Sequence, residues 1–118
     1  MKYVRFQSQL NCEGTASKLG VFQIAYRVRD AHETSVHDAN EINRQIEWLK
    51  VHLISPDLSD EDYRAIFWFK ETAHEPMERV WAMKPYLEDY GYWIDLVTSR
   101  DPGRLIYQDG WQVAAKPW

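Results

Sequence analysis

Apolar and polar positions alternate from the first residues. In KYVRFQS, residues 2 to 8, Val4 and Phe6 point one way while Tyr3, Arg5 and Gln7 point the other, which predicts a strand with one buried face. The polar stretch from Gln9 to Gly20 reads as a loop. In VFQIAYRV, residues 21 to 28, Phe22, Ile24, Tyr26 and Val28 share a face, and a second strand antiparallel to the first is expected. Ile42, Ile46, Leu49 and Leu53 then recur at helical spacing, so a helix is predicted over 36 to 53. Ser35 with Asp38, or Asp38 with Glu41, would cap its start, and Ser55–Pro56 would end it.

RAIFWFK, residues 64 to 70, is apolar on both faces and is expected as the central strand. A second helix is predicted over 74 to 90, opened by Pro76 and acidic residues and closed by Gly91. Val80, Trp81, Met83, Leu87 and Tyr90 would form its buried side, and Pro85 would kink or split it. Three strands should follow: 92 to 98, 104 to 108 after the Asp101–Pro102–Gly103 turn, and 111 to 115 after the Asp109–Gly110 hairpin signal. The expectation is one α+β domain over 1–118. It has a single-layer mixed β-sheet of about five to six strands and two helices, in the order ββαβαβββ, with a right-handed parallel crossover over 64 to 98.

Composition narrows the function classes. The chain has 118 residues, of which 45% are hydrophobic and 27% charged, as expected of one globular core. Six Trp, seven Tyr and four Phe exceed what so small a core absorbs, so some rings should reach the surface. The net charge of −4, with scattered basic residues, disfavours nucleic acid as a partner. The opening MKYVRFQSQL has no apolar stretch long enough for a signal peptide, and no window is long enough to span a membrane. A cytoplasmic location is expected. Cys12 stands alone, which excludes an internal disulfide and a multi-cysteine zinc site.

YVRFQS at the start, AIFWFKETA in the middle and TSRDPGRLIYQDGWQVAAKP at the end together resemble a group of short, uncharacterised bacterial proteins. The resemblance implies a bacterial, cytoplasmic origin and carries no activity with it.

Four groups of residues are candidates for chemistry. Lys70, Glu71, His74, Glu75 and Glu78 fall where the central strand should pass into the second helix, an edge at which ligands bind in parallel crossover units. Lys70 could hold an anion and His74 could move a proton; the plainer reading is acids in a first helical turn beside a solvated histidine. No metal is expected there, because the segment departs from H-E-x-x-H, and no cofactor is implied. Arg5, beside Tyr3 and Gln7, could clamp a carboxylate or simply face solvent. Trp48, Trp111 and Trp118 could form a partner surface or another wall of the core. Cys12 near a histidine has no spacing that supports nucleophilic chemistry, and both G-x-S-x-G and a phosphate-binding glycine loop are absent.

The leading expectation is therefore a non-catalytic binding or interaction module, homodimeric, with another protein or a small polar ligand as further partners. A small enzyme or ligand-binding protein for an anionic or polar molecule at 70–78 is the alternative. A third reading is an antidote that binds a basic partner through Asp57, Asp60, Glu61 and Asp62.

Overall fold

The computed structural model describes residues 1–11, 18–56 and 64–118. Cys12 and the four acidic residues from Asp57 to Asp62 lie outside the described residues. The elements are β1 (Tyr3–Asn11), β2 (Lys18–Gly20), α1 (Val21–Asp30), α2 (Val36–His52), β3 (Ile66–Lys70), α3 (His74–Asp89), β4 (Ile94–Ser99), β5 (Arg104–Gln108) and β6 (Gln112–Lys116). The class is α+β, but the described residues form three helices rather than two, in the order ββααβαβββ.

The segment expected as the second strand is α1. Its alternating residues misled because a helical stripe runs through the same stretch: Val21, Ile24, Ala25 and Val28 are all buried, at i, i+3, i+4 and i+7. The Gly20 N–H donates to Gln23 Oε1 at 2.9 Å and fixes the helix start. α2 forms as expected, and the Asp38 N–H donates to Ser35 Oγ at 3.1 Å. The Tyr90 hydroxyl donates to Asp38 Oδ2 at 2.6 Å, which ties the end of α3 to the start of α2 and holds the Asp38 carboxyl below its usual range.

α3 runs through Pro85 as one helix. Its buried positions are Pro76, Val80, Met83 and Leu87, a clean helical stripe. Trp81 falls one residue off that stripe and is 48% exposed, which corrects its expected place in the core. The helix ends in a Schellman arrangement. The Tyr92 and Gly91 amides donate to the Leu87 and Glu88 carbonyls, and Gly91 takes a φ of 92°.

The sheet is antiparallel throughout, not mixed. β1 pairs β4 along one edge and β2 and β3 along the other; β3 continues to β6 and β6 to β5. Both β3 and β4 run antiparallel to β1, so they are parallel to each other with β1 inserted between them. The expected parallel orientation of the two strands is present, but they are not neighbours. Val4, Phe6, Phe69 and Ile94 put one face of the sheet against buried residues of α1, α2 and α3, and this contact is the core. The Asp109–Gly110 hairpin forms. Asp109 Oδ1 closes it by accepting from the Trp111 and Gln112 amides, and Gly110 keeps a negative φ.

Candidate functional site

β4 occupies an edge of the sheet. Among the described residues, no strand pairs with its outer side. Leu96 lies opposite Phe6 in the β1–β4 ladder, on the face that carries the helices. Phe6 is buried, and Trp81 of α3 packs edge-on against it with ring centroids 5.3 Å apart. Trp81, Leu96 (45% exposed) and Trp93 (58% exposed) therefore form an apolar surface where α3 meets β4. Lys84 belongs to the same place: its Nζ lies 5.9 Å from the Trp81 ring centre and 5.2 Å from that of Trp93. Lys84 also pairs with Glu88 at 2.8 Å, and Glu88 Oε2 accepts from the Ile94 N–H at 3.4 Å.

A second aromatic group lies between the end of α2 and the β5–β6 hairpin. Trp48 stacks on His52 at 4.0 Å and on Trp111 at 6.0 Å, and the Arg79 guanidinium sits 4.7 Å from its ring centre. Gln112 Nε2 donates to the Ile54 carbonyl and fastens the hairpin to the chain after α2. A shallow cavity of about 180 Å³ opens beside them, lined by His52, Leu53, Ile54, Asp109, Gly110 and Trp111. Burial pushes the Asp109 carboxyl up, but the Tyr107 hydroxyl at 2.6 Å and the two amides outweigh it, so the group lies below its usual range. The Tyr107 hydroxyl is raised in turn by the same bond. Among the described residues, every bond that Asp109 accepts comes from its own hairpin, so it acts as a brace for that turn.

The residues singled out at the strand–helix junction are spread over both layers. Lys70 lies opposite Tyr3, and alternation along β1 puts Arg5 on that same face, away from the helices. The Arg5 guanidinium donates to the Lys18 carbonyl at 2.8 Å. Trp68 shares this face by alternation with Lys70, and its buried indole N–H finds no hydrogen-bond partner among the described residues. Glu71 closes the end of the β1–β3 pair, its N–H donating to the Lys2 carbonyl at 3.1 Å. His74 opens α3 in the helical layer, and it is exposed, as are Glu75 and Glu78. Trp118 is 83% exposed and its indole N–H donates to Asp101 at 2.9 Å. Among the described residues, no three histidine, cysteine or acidic side chains gather as a metal site, and no helix is long and apolar enough to cross a membrane.

Sequence reasoning placed Trp81 in the core and so missed the α3–β4 surface. The signal was available: Pro76, Val80, Met83 and Leu87 complete a buried stripe without it. No family model, curated protein or solved structure matches the chain.

Proposed function

We propose that the chain is a non-catalytic protein-interaction module that works by self-association. The reading is carried by the α3–β4 surface, where two indoles and a leucine stand half-exposed beside the outer edge of a sheet. Half-exposed tryptophans cost solvation that a partner surface would recover, and they are the side chains most enriched at the centres of interfaces. An open strand edge also offers backbone groups that another chain can satisfy. A bacterial cytoplasm is proposed as its setting, on the resemblance of the sequence to short bacterial proteins.

Light scattering across a concentration series tests the reading. The weight-average mass should rise toward twice that of the chain by about 100 µM, as a micromolar equilibrium requires. A mass that stays at one chain over the whole series would overturn it.

A further inference from the structure

We draw no further inference here: the strongest candidate, the exposed apolar patch of Trp81, Trp93 and Leu96 where α3 meets the edge strand β4, belongs to the site already described, and nothing in the structure shows what covers it.

Discussion

The two aromatic groups of this domain are built from similar residues and have opposite outcomes. At the hairpin end, Trp48 has His52, Trp111 and Arg79 around it, and Gln112 fastens the hairpin to Ile54. At the β4 edge, Trp81 and Trp93 have a lysine between them and water on their outer sides. The first group has a helix and a hairpin that close on each other. The second lies where the sheet ends, and among the described residues no further element covers it. An aromatic surplus in a small domain is thus absorbed wherever the chain folds back, and it is exposed where the sheet runs out of strands.

If this contrast is right, the two ends answer differently to truncation. Trp48→Ala should cost about 3 kcal/mol of stability, read from the urea midpoint, because it removes a ring packed on three sides. A loss comparable to that of an exposed residue would abolish the distinction. Asp109→Ala should cost about 1.5 kcal/mol by leaving the Trp111 and Gln112 amides and the Tyr107 hydroxyl without their acceptor. At the open edge, Trp81→Ala should cost about 1 kcal/mol through its contact with Phe6, and Trp93→Ala within about 0.5 kcal/mol, yet both should shift the mass in light scattering toward one chain. Stability and association would then separate cleanly between the two ends.

The smallest expected effect is on acid sensitivity. The folded-state Asp109 carboxyl lies below its unfolded value, so its contribution is complete above the unfolded value and is lost as pH falls through the folded one. Tyr107→Phe removes a bond that lowers this group. The Asp109 titration, followed by carboxyl-carbon NMR, should therefore move upward, and part of the loss on acidification should vanish. An unchanged titration would show that the two hairpin amides suffice.

Much of the fold was legible because local pattern and burial agree. The alternation of Val4 and Phe6, the capped stripe of α2 and the Asp109 turn each follow from neighbouring residues alone. α1 was misread because Val21 to Val28 carries two periods at once. Only the presence of α2 and the sheet on one side selected the helical one. The placement of β1 between β3 and β4 was hidden for a different reason. It pairs residues far apart in the chain, and no short-range signal encodes which strand inserts where. The junction residues were chosen on the assumption of adjacent parallel strands, and with β1 inserted they fall in two layers.

The sequence by itself determined an α+β domain rich in aromatic residues and the ends of α2 and α3. It also determined which residues could close the last hairpin. Tertiary structure alone decided which rings would be covered, because burial depends on which elements meet across the sheet. The same long-range pairing left β4 at the edge and turned Trp81 from an expected core residue into an exposed one. A ring's fate is set by the geometry of closure, which hydrophobic pattern along the chain does not contain.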